Sequence, residues 1–293
     1  MYLASKPRYE ILDGLRGVAA VLVVLFHIFE TYSKGPAYQI INHGYLAVDF
    51  FFVLSGFVIG YAYDDRWDKM TTWGFFKRRL VRLHPMLIMG TVVGACLYFF
   101  GQCEQFGLDG YPDGWELLLA FVLALFMIPV GNGLDVRGWG EMNPLNGPQW
   151  SLTYEYIANI LYAFVLRRLG KVALAVLAGC AAFMTLGVCL DWNTFGLLTE
   201  ERSAHHQYTV IGGWCISPEQ SYIAFTRLLY PFICGLLLSR IGKFIDVKGG
   251  FWWCALLLTA AFSIPCIGGT GCILNGIYNA GCILLLFPII VMM

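Results

Sequence analysis

Charge is what this sequence has least of. Only 13% of its 293 residues are Asp, Glu, Lys or Arg, against 58% hydrophobic ones, and a soluble domain carries roughly twice that charged share. Nineteen basic and nineteen acidic residues cancel, so no nucleic-acid partner follows from charge. Ten cysteines are present, but none forms CxxC or a metal-ligand spacing, which points away from a redox pair or metal centre. Most sit inside apolar runs as small buried residues. Cys103, Cys215 and Cys272 lie near span ends, where a disulfide could form but cannot be paired from sequence. No repeat of fixed period appears, which weakens an inverted-repeat transporter. No GxSxG elbow surrounds Ser55 in FFVLSGF, so that hydroxyl reads as packing against its own backbone. A cleavable signal peptide is not expected, because MYLASKPRYE is polar for too long and the first apolar stretch holds Asp13 and Arg16. The sequence stops at IIVMM without a polar tail, which leads us to expect further spans beyond it.

What the chain has in abundance is apolar runs near 20 residues, with a mean hydropathy of +0.66. These predict an all-α fold: one polytopic transmembrane helix bundle over residues 1–293, of about eight to ten spans. After the first span, which ends near Tyr32, spans are expected at roughly 45–63, 86–100, 172–190, 221–238, 251–267 and 272–293. A helix is expected at about 151–166 and a short apolar segment at 115–129. Gly56 and Gly60 form a GxxxG pair suited to close helix approach. The strongest basic cluster lies between Asp64 and Pro85 (DDRWDKMTTWGFFKRRLVRLHP). By the positive-inside rule it is cytoplasmic, together with Lys6, Arg8 and the N-terminus. From Thr71 onwards it reads as an amphipathic helix lying at the interface. A conflict follows: if the 115–129 segment crosses once, the basic turn RRLGK falls outside. Either that segment is re-entrant, the preferred reading, or the stretch VGNGLDVRGWGEMNPLNGPQW passes back through the protein, buried or lining a cavity.

Chemistry concentrates on the first span. Arg16 and His27 stand eleven residues apart, roughly 20° around the helix and about 16 Å along it, with Asp13 about 40° to the other side. Ionisable groups in hydrocarbon are costly, so this stripe should face a protein interior or a wet cavity. His27 suits a general base taking a proton from a hydroxyl. Its carboxylate partner would be Glu30, three residues on, or Glu155 or Asp49 from other helices. Arg79 and Arg82 share a helix face, and guanidinium forks suit phosphate; simple positive-inside anchoring is the plainer reading of that loop. In PQWSLTYEY, Ser151 and Glu155 share a helix face, and Trp150 is an interfacial anchor or a pocket wall. Glu155 near the helix start could instead complement the helix dipole. His205 and His206 are adjacent, point to different faces and read as a solvated loop rather than a metal pair.

Four stretches together carry a resemblance: DGLRG with Arg16 and then His27, FFFVLSGFVI at 50–59, KRRLVRLHP at 77–85 and PQWSLTYE at 148–155. In this order they resemble the membrane acyltransferase-3 family. The resemblance implies an integral membrane O-acyltransferase moving an acyl group, usually acetyl from cytosolic acetyl-CoA, to a hydroxyl of an extracytoplasmic carbohydrate or glycolipid. It implies the bacterial cytoplasmic membrane, with acyl-CoA as substrate rather than bound cofactor. The family's essential Arg and His fall on Arg16 and His27, its basic segment on Arg78, Arg79, Arg82 and Pro85, and its Trp and Glu on Trp150 and Glu155. The expected catalytic set is therefore His27, Arg16 and Glu155; Arg78, Arg79, Arg82 and Trp150 bind the donor, and Asp13, Ser151 and Asp49 support. Full-length members have a further tyrosine- and histidine-bearing span that this sequence does not show. The rival reading is a carrier of an anion or acyl-bearing metabolite without covalent chemistry.

Overall fold

The computed structural model of the chain describes residues 6, 9–35, 38–101, 114–269 and 271–293. Among these the regular structure is helical, with one isolated β-bridge between Glu141 and Cys215. The helices are α1 (Glu10–Tyr32), α2 (Ala47–Tyr63), α3 (Thr72–Gly101), α4 (Gly114–Leu125), α5 (Gln149–Phe164), α6 (Lys171–Cys189), α7 (Glu200–His206), α8 (Pro218–Ile241), α9 (Gly250–Ser263), α10 (Ile273–Gly281) and α11 (Phe287–Met292). A π-helical turn at Cys282–Leu286 joins the last two. Six helices are long and apolar enough to cross a membrane, and α4 and α9 are shorter apolar helices. The protein is a polytopic all-α membrane bundle.

One expected boundary is wrong. The interfacial helix from Thr71 and the third span are a single 30-residue helix, α3, that runs through Pro85. Proline in water-exposed helices is a stop signal, but neighbouring groups and local adjustment tolerate it in membrane helices. At 1.5 Å per residue α3 is about 45 Å long, more than the ~30 Å of hydrocarbon. The surplus accommodates the arginines of its first turns.

The chain divides into two compact units. The first comprises residues 1–69, 164–211 and 226–293. Here α1 lies along α9 through the seam Leu12, Leu15, Ala19, Leu22 and Phe26, whose alternating spacing of three and four makes one stripe. Gly14 admits the Phe251 ring. The GxxxG pair works as expected: a Cβ on Gly56 would strike the backbone carbonyl of Phe232 on α8, and Gly235 reciprocates against Val53 of α2. At one end of this unit Lys6 donates to Asp65 and to the Tyr61 carbonyl, Arg167 stacks on Trp67, and Arg240 reaches Asp64 and the carbonyls of Leu166, Arg167 and Leu169. The RRLGK turn therefore sits at the same end as the 64–69 loop. The chain leaves that end at residue 70 and returns to it by residue 166, as both expected routes for the stretch between them require.

The second unit comprises residues 70–163 and 212–225. At 12 residues, α4 is about 18 Å long. Residues 126–148 that follow it are irregular apart from a single turn at Asn132–Leu134. Val130, Val136, Met142, Asn143 and Leu145 of this stretch are buried. Buried backbone must find partners, and this one does: Val130 N–H donates to the Met142 carbonyl, Met142 N–H to Trp214, and Tyr98 Oη to the Val136 carbonyl. Asp135 accepts from the backbone N–H groups of Arg137 and Gly140. Gly94 of α3 lets the Leu145 carbonyl pack where a Cβ would stand.

The two glycines of the GxxxG pair differ in consequence. Gly56→Ala forces a methyl against fixed backbone, whereas Gly60→Ala meets the movable side chains of Leu236 and Ser239. Thermal unfolding of the detergent-solubilised protein should show Gly56→Ala destabilised by about 1–3 kcal/mol, with Gly60→Ala the milder change.

Candidate active site

On α1 the expected polar stripe is present, and it runs beside the packed seam. Arg16, Asp13 and His27 centre roughly 110° around the helix from the Leu/Phe stripe. Arg16 Nη1 donates to Asp13 Oδ1 at 3.1 Å, and His27 Nδ1 lies 3.0 Å from Glu30 Oε2. His27 is 54% exposed and Glu30 43%, so neither is locked into the packed core of its unit. Of the carboxylates named for His27, the adjacent Glu30 holds it. Asp49 and Glu155 are committed to arginines instead. A carboxylate only accepts, so Nδ1 carries the proton and Nε2 presents its lone pair in the neutral ring. This is the arrangement of an oriented base.

In the second unit α3 and α5 bring Arg79 and Glu155 together, Arg79 Nη2 donating to Glu155 Oε1 at 2.6 Å. Arg79 is 3% exposed, whereas Arg78 and Arg82 are exposed. The three arginines thus separate into one inward fork and two outward cations. The helix carrying Glu155 begins at Gln149, which places Glu155 as its seventh residue, beyond the first turn where a dipole carboxylate acts. Trp150 is buried against Tyr154, with Gly213 leaving room for the indole. Ser151 Oγ donates to the Pro148 carbonyl at 2.8 Å, so its hydroxyl closes the helix entrance. Gln149, inside the same motif, accepts from Thr91 Oγ1 and donates to the Ala124 carbonyl, tying α5 to α3 and α4.

Several charged groups escaped the reading of the sequence. Arg227 of α8 forks onto Asp49 of α2 at 2.8–3.4 Å, with Nη2 also donating to the Tyr45 carbonyl, and both side chains are buried. Asp49, expected to support the site, is thus half of a buried helix–helix clamp. The loop of His205 and His206 is not merely solvated. Arg202 of α7 is buried, donates to Asp191 at 2.8 Å and to the Thr209 carbonyl, and Ser203 adds a second bond to Asp191. Arg227 stands alone in the apolar run of α8, and an intramembrane arginine implies a buried acid somewhere; the signal named the need and not the partner. His43 is buried after α1, its Nδ1 2.9 Å from the Ile264 carbonyl. Burial lowers its pKa to about 4. Cys215 and Cys272 are free thiols, and Cys103 lies outside the described residues.

Spans, an oriented His–carboxylate pair on one of them and a buried Arg–Glu pair define a multi-pass membrane protein that carries polar chemistry on apolar helices. Residues 9–293 match the family model described as an acyltransferase domain, and the chain belongs to this acyltransferase-3 family. It is 36% identical over 170 residues to protein 2 of the picA locus of Rhizobium radiobacter, covering 56% of this chain and 85% of that one. Acyltransferase MdmB of Streptomyces mycarofaciens is 28% identical over 197 residues, 64% of this chain and 47% of that protein. Peptidoglycan O-acetyltransferase OatA of Listeria monocytogenes is 34% identical over 92 residues, 30% of this chain and 14% of its own length. The chain thus spans most of the first relative, about half of the second and a small part of the third. No solved structure matches it.

Two stability measurements test these assignments. Replacing Asp49 by Leu strands the Arg227 guanidinium and should cost about 3–5 kcal/mol, while Asp49→Leu with Arg227→Leu recovers most of the loss. For His43, the unfolded ring titrates near its ordinary 6.5 and the folded ring near 4. Between those values the unfolded chain binds the extra proton, so stability falls as pH drops from about 6.5 towards 4. The neighbouring Cys266, Tyr45 and Tyr278 stay neutral across that window by their ordinary values. Melting of solubilised His43→Gln should show a shallower acid loss than the wild type.

Proposed function

We propose that the protein is a membrane O-acyltransferase of the bacterial cytoplasmic membrane, one integral domain over residues 1–293 with its N-terminus in the cytoplasm. It takes an acyl group, acetyl by default, from cytosolic acyl-CoA and delivers it to a hydroxyl of an extracytoplasmic carbohydrate or glycolipid. Family membership supports acyl transfer, and the similarity to the O-acetyltransferase OatA supports oxygen as the acceptor atom. The gathering of Lys6, Arg167 and Arg240 at one end of the first unit supports the orientation, since clustered Lys and Arg mark the cytoplasmic side.

The observation that carries the reading is the His27–Glu30 pair at 3.0 Å, about 16 Å along α1 from Arg16. With Nδ1–H held by Glu30, His27 Nε2 takes the proton of the acceptor hydroxyl as its oxygen attacks the acyl carbon. Arg16, steered by Asp13, stabilises negative charge on the donor nearer the cytoplasmic end. Arg78 and Arg82 meet the donor's phosphates as forks. The buried Arg79–Glu155 pair and Trp150 shape the donor passage, with Ser151 fixing the helix entrance. Arg16 and His27 thus hold different stations on one route across the bilayer.

Membranes containing the protein, given radiolabelled acetyl-CoA and a glycan acceptor, test this. His27→Ala should lower transfer by about 100-fold or more, in line with loss of a general base, at unchanged abundance. Glu30→Gln should give an intermediate loss. A well-expressed His27→Ala variant that transfers at the wild-type rate would sink the assignment.

A further inference from the structure

His43 takes no part in that scheme, yet it is held as an active-site histidine is held. Its main-chain N–H donates to the Phe262 carbonyl at 2.9 Å and its ring Nδ1 lies 2.9 Å from the Ile264 carbonyl, both at the C-terminal end of α9. A carbonyl only accepts, so Nδ1 carries the hydrogen and Nε2 is the lone-pair nitrogen. Nε2 faces Cys266 Sγ at 3.9 Å. The ring is walled by Tyr278 and Tyr45, with centroids 4.7 and 5.8 Å away. The loop bearing Cys266 is itself stapled: Asn275 accepts from Ile267 N–H and donates to the carbonyls of Ile267 and Gly269. Cys266 is partly exposed, whereas the His43 imidazole is buried. A nucleophile, a base within reach and a third group fixing the base are the parts of a covalent acyl-transfer site.

Position adds a second argument. Phe26, next to His27, packs on Gly44 and faces the Tyr45 ring, and Tyr45 faces His43. The Cys266–His43 pair therefore lies at the His27 end of the first unit, away from the Lys6 and Arg240 end.

The geometry points to Cys266 and His43 as a thiol nucleophile and its base, an acyl-holding station that accepts the acyl group of a thioester donor before the acceptor hydroxyl does. The inference rests on the acyl-transfer reading above and adds a covalent stage to it. Cys266 sulfur attacks the thioester carbonyl as its proton passes to His43 Nε2. The new carbon–sulfur bond replaces the donor's, and the departing thiolate takes the proton from His43. In the second half the acceptor oxygen attacks the Cys266 thioester as its proton passes to His27 Nε2, the base assigned above, and the departing Cys266 thiolate is reprotonated to the thiol as His27 gives its proton up. No oxidant or reductant is consumed.

Full-length protein in membranes, exposed to radiolabelled acetyl-CoA without acceptor and then denatured, should retain label that neutral hydroxylamine releases, as a thioester requires. Cys266→Ser should lose that hydroxylamine-labile label. His43→Gln should slow labelling about 100-fold, with unchanged abundance and unchanged maleimide capture of Cys266 in the denatured chain. Cys272→Ser, in the same loop region, should label as the wild type. Label that persists in Cys266→Ser, or glycan transfer by the wild type with no labelled protein and undiminished in Cys266→Ser, overturns the thiol station and leaves the acyltransferase reading standing. Neither label nor transfer from the wild type overturns both.

Discussion

Hydrocarbon solvates no charge, and the helices of the first unit are arranged around that constraint. Arg227 and Asp49 neutralise each other between α8 and α2, with both side chains buried. The same two helices meet again at Gly56 and Gly235, where each backbone takes the place of a Cβ. With either member of the fork removed, the other would be left as a buried unpaired charge. Tyr45 supplies a carbonyl to the same guanidinium, which holds the start of α2, and with it His43, at a fixed place beside α9.

The same rule separates structural charge from charge available for chemistry. Asp49, Arg227 and Arg202 are buried and paired, the last with the largely covered Asp191. On α1, Arg16 pairs with Asp13 and His27 with Glu30, each three residues apart, and all four side chains stay at least partly exposed. A reactive group in a membrane must be desolvated enough to act and open enough to meet its substrate. The flank of α1, beside the leucine seam, meets both demands.

Much of this was readable in the residues. Apolar length located the spans, GxxxG located the α2 contact, and helical periodicity aligned Arg16 with His27. The wrong boundary at Pro85 arose because a stop signal in water is not one in lipid. Partners were the blind spot. Asp49 and Arg227 are 178 residues apart, and no local pattern encodes which arginine meets which acid. Glu30 stood among the three carboxylates open to His27 because that pairing is a single helical turn. Cys266 and His43 lie 223 residues apart, each unremarkable alone, and only tertiary structure makes them neighbours.

The irregular stretch at 126–148 has a consequence for how the protein is made. A helix can satisfy its own backbone as it leaves the ribosome, but this segment cannot. Met142 waits for the Trp214 carbonyl, about 70 residues further along, and at synthesis rates of ~5–20 residues per second that partner arrives on the order of several seconds later. Until then the stretch needs water or a chaperoning surface to occupy its hydrogen-bonding groups. The order of assembly follows: α3, α4 and α5 can form early, and the segment between α4 and α5 settles only once Trp214, just ahead of α8, has been made.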